Sequence, residues 1–229
     1  MTRNKPLIFA IAIAIVLISL AGVLPLLVRA ITGPGVKTGG IDVSTAQPAS
    51  ADLAGEWTIV IGGGNNTSSV GYTFHEILPG EDKMTSGSTN SVTGTATVNG
   101  STLTGGEAVA DLSTLRTDLQ KRDNKVTRDI LESDQFPEAR FTVTDQVDLS
   151  GLPADGTVGT VTVPGTLTIK GVSHPVTPEF EVLRTGERII LATTIPINRQ
   201  DYDVKTPEFV AAVIDDQGEL NIRLVFEHK

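Results

Sequence analysis

Residues 164–183 read PGTLTIKGVSHPVTPEFEVL, and their period decides the fold. Leu167 and Ile169, then Phe180 and Val182, alternate with other residues, the two-residue period of a strand that buries one face. Between the two runs, Lys170 to Pro175 reads as a turn that carries His174. The same period extends outward in both directions, through Trp57/Ile59/Ile61, Val70/Tyr72/Phe74, Phe141/Val143, Val161/Val163, Ile195/Ile197 and Leu220/Ile222/Leu224/Phe226. Turn chemistry punctuates it at Gly62-Gly-Gly-Asn-Asn66, Pro79-Gly80, Asn99-Gly100, Asp155-Gly156, Thr185-Gly186 and Gln217-Gly218. About eight short strands at hairpin spacing predict an all-β antiparallel barrel or sandwich.

One segment departs from this period. In LRTDLQKRDNKVTRDILES, residues 115–133, Leu115, Leu119, Val126 and Ile130 form a helical stripe. A short helical region there would cap or plug one end of the barrel.

The amino terminus has another character. Leu7 to Val28 is an apolar run, LIFAIAIAIVLISLAGVLPLLV, with only Ser19, Gly22 and Pro25 as interruptions, long enough at 1.5 Å per residue to span roughly 30 Å of hydrocarbon. It is longer than the apolar region of a signal peptide, and Arg29 fits poorly in Val28-Arg29-Ala30 as a cleavage site. Residues 1–29 are therefore expected to be a single-pass anchor with the domain on the extracytoplasmic side; the alternative is a protein secreted after signal cleavage. Residues 30–54, rich in Gly, Pro, Ser, Thr and Ala, predict a flexible tether, and residues 55–229 the folded domain.

Composition removes several classes of chemistry. The 229-residue chain carries a net charge of −9, so nucleic acid is not an expected partner. It has no cysteine, which excludes disulfides, thiolate metal sites and cysteine nucleophiles. Its three histidines, His75, His174 and His228, are dispersed without metal-ligand spacing, so no metal site is expected. No nucleophile elbow occurs, and the Gly62–Gly64 run lacks a following P-loop lysine. Asp201 and Tyr202 are the one tempting acid–base pair, and strand-end residues bonded to a turn are the plainer reading. No catalytic residue and no cofactor are expected.

What remains is the interior. An eight-stranded barrel is just wide enough to be filled by side chains or to hold one slender ligand. A lining of Val, Ile, Leu and Phe favours an apolar chain by up to roughly 0.8 kcal/mol per buried CH₂. Alternation alone nominates Trp57, Ile59, Val70, Tyr72, Phe74, Phe141, Val143, Leu167, Ile169, Phe180, Ile222 and Leu224 as that lining. Arg116, Lys121, Arg122 and Arg199 are the candidates for an anionic headgroup. The competing reading of the helical cluster is a solvated face, with Asp118 and Arg122 in the favourable i, i+4 order.

Four blocks from about Gly55 to Lys229 carry a family pattern in order. Trp57-Thr-Ile59 with Ser68-Ser-Val-Gly-Tyr72 resembles the opening strand pair and SSVGF motif of the YceI-like family. Lys121-Arg-Asp123, Phe136-Pro137 and Arg140-Phe-Thr142 resemble its KRD…(Y/F)P…F segment. Gly165-Thr-Leu-Thr-Ile-Lys-Gly-Val172 with His174-Pro-Val-Thr177 is similar to its GxLTIxGVTxPV hairpin, and Ile197-Asn-Arg-Gln-Asp-Tyr202 to its INRxDF motif. Thr67 stands where the family often has His before SSV. The resemblance implies a lipocalin-like barrel that encloses a polyisoprenoid or similar amphiphilic lipid, in a secreted or periplasmic setting and without catalysis. A filled-barrel structural or interaction module of the cell envelope is the alternative, and the absence of an internal cavity would favour it.

Overall fold

The computed structural model describes residues 33–78, 81–206 and 213–229. The expected anchor lies outside them, and among the described residues no helix is long and apolar enough to cross a membrane. The strands are β1 (Gly55–Val60), β2 (Gly62–Gly63), β3 (Asn66–Thr67), β4 (Ser69–Leu78), β5 (Glu81–Thr89), β6 (Val92–Asn99), β7 (Thr102–Asp111) and β8 (Glu138–Val143). There follow β9 (Val147–Asp148), β10 (Val158–Thr162), β11 (Gly165–Ile169), β12 (Val172–Val176), β13 (Glu179–Thr185), β14 (Arg188–Asn198) and β15 (Val213–His228). Apart from the small β2–β3 pair, the described strands form one 13-stranded sheet, antiparallel at every pairing.

The spine of this sheet is β15. Along one edge it pairs with β14 from Asn198↔Gln217 to Arg188↔Glu227. Along the other it pairs first with β4, from Val213↔Ile77 to Arg223↔Ser69, and then with β1, from Val225↔Val60 to His228↔Trp57. A register shift between Ile214 and Gly218 bends the spine, as a bulge does. Gln217-Gly218, expected in a turn, therefore lies inside a strand.

The hairpin quoted first bridges the two flanks of the curl. Pro164 separates β10 from β11 and Pro178 separates β12 from β13, because proline cannot donate to a ladder and bends the strand it interrupts. One half of the bent hairpin, β10–β13, joins β14; the other half, β11–β12, joins β8. The expected barrel of about eight strands is thus a curled sheet in which the bends cut long strands into several short ones. The turn of this hairpin is only Lys170-Gly171, both at positive φ (50° and 76°), which returns the chain in two residues. Lys170 tolerates that conformation because its Nζ is held by the Asp203 carbonyl at 3.1 Å and the Glu132 carboxylate at 2.5 Å. His174 sits in β12 rather than in the turn, with Nε2 2.8 Å from the Asp201 carbonyl and its ring edge-on to Tyr202.

The helical segment is shorter than its stripe. Helix α1 (Gln120–Asn124) runs into a wider π turn at Lys125–Ile130. Buried Asp123 organises its start by accepting from the Thr117 N–H and hydroxyl at 2.6 and 2.7 Å. Thr127 bonds back to the Asp123 carbonyl at 2.9 Å, a side-chain contact that competes with the regular ladder and widens the turn. Leu115 precedes the helix but packs with Leu112 and Leu131 over the end of the sheet.

The tether is the largest revision of the sequence reading. From Gly33 it is a strap laid across the outside of the sheet. Val36 N–H donates to the Ser86 carbonyl and Ser86 N–H to the Pro34 carbonyl. Buried Thr38 bonds the Ser69 hydroxyl at 2.8 Å, and Arg223 donates to the Gly40 carbonyl at 3.0 Å. Ala49 and Ser50 donate to the Ala154 and Gly186 carbonyls, and Leu53 is buried with Trp57 in the main core. Beneath the strap, Ile41 and Ala46 cover Leu183, Ile190 and Val225, a second small core on the outer face. Gly, Ser and Thr here lie close to the sheet and supply its hydrogen bonds; a low apolar content did not make the segment free.

At the β4–β5 tip, His75 contacts the Asp82 carboxylate through Nε2 and Asp215 through Nδ1 at 3.0 Å. Those two hydrogen bonds, Asp82 first, raise its pKa above 6.5. A raised value means that this clasp contributes fully below about pH 6.5 and is lost as pH rises through the folded-state value. Amide exchange of Met84 and Val213 is expected to quicken as pH rises above about 6.5 and through the folded-state value, once intrinsic rates are divided out. In His75→Gln that pH dependence should vanish.

Candidate functional site

The inner face of the sheet encloses a cavity of about 250 Å³ and, beyond shared walls, a second chamber of about 120 Å³. Val70, Tyr72, Phe74, Phe141, Leu167, Ile169, Phe180, Ile222 and Leu224 line the first chamber. Trp57 and Val143 line the second, which Leu53, Leu149 and Leu152 close at its foot. Ile59 is buried in the main core and lines neither. Eleven of the twelve residues nominated by alternation thus face one or other chamber.

Ala108, Phe141, Phe180 and Leu224 line both chambers, so the two meet at a waist. There the rings of Phe141 and Phe180 stand edge to face with centroids 6.2 Å apart.

The cavity stays open because its aromatic walls lie against glycine. Tyr72 is paired with Gly87 and Phe74 with Gly218, and a Cβ on either glycine would collide with the ring opposite. The rings thus lie along the wall instead of projecting into the bore. Alternation cannot see this, nor the contribution of Val92, Ala110, Leu112 and Leu131 to the lining; Leu220 also lines it, on the same face as Ile222 and Leu224. A usable sign was the Ala108-Val-Ala110 run in β7, whose small inward side chains leave volume.

One polar atom stands out within the wall. The Tyr72 hydroxyl is buried and has no hydrogen-bond partner among the described residues. Burial pushes its pKa up, so it remains a neutral phenol able to donate one hydrogen bond.

The mouth is ringed by Glu76, Arg122, Lys125, Thr206 and Ile214. Of the four headgroup candidates, Arg122 and Arg199 reach the cavity, whereas Arg116 and Lys121 are exposed and line neither chamber. Arg122 pairs with Asp118 and stands 3.9 Å from Glu76. Arg199 pairs with Asp216 at 2.6 Å and donates to the Val204 and Asp215 carbonyls at 2.9 and 3.2 Å. It is a clamp between the loop after β14 and the start of β15. The collar expected for an anionic head is thus engaged within the protein.

Among the described residues no group of three His, Asp or Glu side chains gathers to hold a metal. Tyr202 lines the cavity beneath the His174 ring, while Asp201 is exposed, so the two form no convergent pair.

Comparison with known proteins agrees with this architecture. No curated protein matches the chain. Among solved structures, the chain is similar to a polyisoprenoid binding domain from Saccharophagus degradans implicated in plant cell wall breakdown. The two are 18% identical with a TM-score of 0.57, over 71% of this chain and 98% of that one. It is likewise similar to Burkholderia cenocepacia BcnA, at 20% identity and a TM-score of 0.54, over 69% of this chain and 95% of that one. These likenesses concern the fold. The model of the YceI-like domain matches residues 64–226. The curled sheet and the four sequence blocks thus have one explanation: the chain belongs to the YceI-like family.

Proposed function

We propose that this protein is a membrane-tethered, extracytoplasmic binding protein for a polyisoprenoid or similar amphiphilic lipid, with no catalytic role. The observation that carries the reading is the apolar cavity behind the mouth, with a second apolar chamber beyond the Phe141–Phe180 waist. Its walls offer an acyl or prenyl chain a water-free path, and burial of each CH₂ favours binding by roughly 0.8 kcal/mol. The filled-barrel alternative requires a core without such a space. The family and the polyisoprenoid binding domain of similar fold support a prenyl chain as the guest. The apolar run 7–28 supports the tether.

The test is native mass spectrometry of residues 33–229, produced in a bacterial envelope and purified without detergent, followed by organic extraction of the released mass. A discrete adduct that partitions into solvent is the expected result. An apo mass, with no uptake of offered polyprenols, polyprenyl phosphates or fatty acids, would overturn the reading.

The waist makes a further expectation specific. Phe180→Ala should join the chambers and raise the longest polyprenol retained by at least one isoprene unit. An unchanged length limit would mean that the waist does not set it.

A further inference from the structure

The strap does more than cover the outer face: it fixes which end of the cavity stands next to the expected anchor. Gly33 N–H donates to the Asp118 carboxylate, the same group that pairs with Arg122 at the mouth. Gly35 and Val36 then run beside Ser86 on the edge of β5, and the strap leads from there to Gly186 and Leu53 at the foot. Four residues lie between Val28 and Gly33, so the two are at most roughly 18 Å apart.

Two surface features share that end. Of the exposed large apolar side chains among the described residues, Val36, Ile77, Met84 and Val213 gather beside the mouth. Ile77 pairs with Val213, Met84 lies opposite His75 two register positions away on the same face, and the Val36 N–H donates to the Ser86 carbonyl. The second feature is the helical segment over the mouth, the lid. Arg116, Lys121 and Arg128 are exposed on it, and Lys125 beside them is paired with Asp129 at 2.7 Å, in a chain whose net charge is −9. Apolar side chains beside basic ones suit an interface with anionic lipid.

We infer that the mouth end, with the lid and the Ile77–Met84–Val213 rim, is a docking face for an anionic bilayer, so that the cavity opens onto the membrane. The inference rests on the anchored reading above. It gives the basic lid residues a partner outside the cavity, where the ion pairs of Arg122 and Arg199 leave no collar for a charged head within it.

The absence of cysteine from the sequence makes the test direct. The full chain, carrying one fluorophore at Met84→Cys or at Gly151→Cys near the foot, is placed in vesicles of phosphatidylglycerol and phosphatidylethanolamine that contain a headgroup-quencher lipid. The Met84 label is expected to be quenched at least twofold more than the Gly151 label. Lys121→Glu with Arg128→Glu should lower quenching at Met84 alone. Gly35→Val should do the same, because a Cβ there collides with the Ser86 carbonyl and unseats the strap. Equal quenching at both sites in vesicles that retain the chain would overturn the docking face and leave the anchor standing. A chain that fails to float with the vesicles would overturn the anchor and, with it, the docking face. Lipid uptake by residues 33–229 is read separately, so neither result is confused with failure of the cavity to bind.

Discussion

Ala110→Trp is expected to give a folded protein that carries no lipid. Ala110 is 4% exposed, points inward from β7 and lines the first chamber. An indole in its place projects into a space of about 250 Å³ and takes much of it. Displacing only two CH₂ groups of a guest forfeits about 1.6 kcal/mol, more than a tenfold loss of affinity. The side chain enters an existing cavity rather than a packed core, so the cost to the fold should stay at or below the roughly 1–3 kcal/mol of ordinary overpacking. Native mass spectrometry reads the loss, thermal unfolding reads the fold, and Thr93→Trp, exposed on β6, serves as the control. Retention of lipid by a folded Ala110→Trp chain would place the guest elsewhere.

The second large effect concerns stability and the strap. Leu183 has no exposed surface, yet it points away from the cavity, between the sheet and strap residues Ile41 and Ala46. Leu183→Ala should cost about 2–5 kcal/mol, the range for a leucine truncated in a core that collapses poorly. For a domain of this size that lowers Tm by roughly 4–20 °C. A chain beginning at Gly55 uncovers Leu183, Ile190 and Val225 together and should bind a hydrophobic dye that the chain beginning at Gly33 does not. Equal melting temperatures for the two chains would mean that the strap is dispensable.

The legibility of this fold followed a physical line. Alternation in Leu220/Ile222/Leu224/Phe226 and its partners reports one buried face, and it placed the inner lining because a slip by one residue would have inverted every side chain. Consecutive apolar residues in Val182-Leu183, Ile189-Ile190-Leu191 and Leu224-Val225-Phe226 report two buried faces, the mark of a sheet covered on both sides. The expected flexible tether took no account of that pattern, because the covering segment itself is polar and held mostly by backbone hydrogen bonds, which composition does not show. Strand count failed for a separate reason: Pro164 and Pro178 bend long strands and cut each into two short ones. The basic lid was visible as charge, whereas the commitment of Arg122 and Arg199 to Asp118 and Asp216 depends on loops brought together only by folding.

The position of β15 has a consequence for synthesis. Strands β14, β4 and β1 all converge on β15, so the sheet has no spine until Val213–His228 has been made. The hairpins β4–β5 and β6–β7 form from local contacts, but joining them waits on contacts of long sequence separation, which close slowly. The strap is made before most of the strands it lies on. Closure of the cavity is therefore a late event of folding, and a guest is enclosed only once β15 is in place.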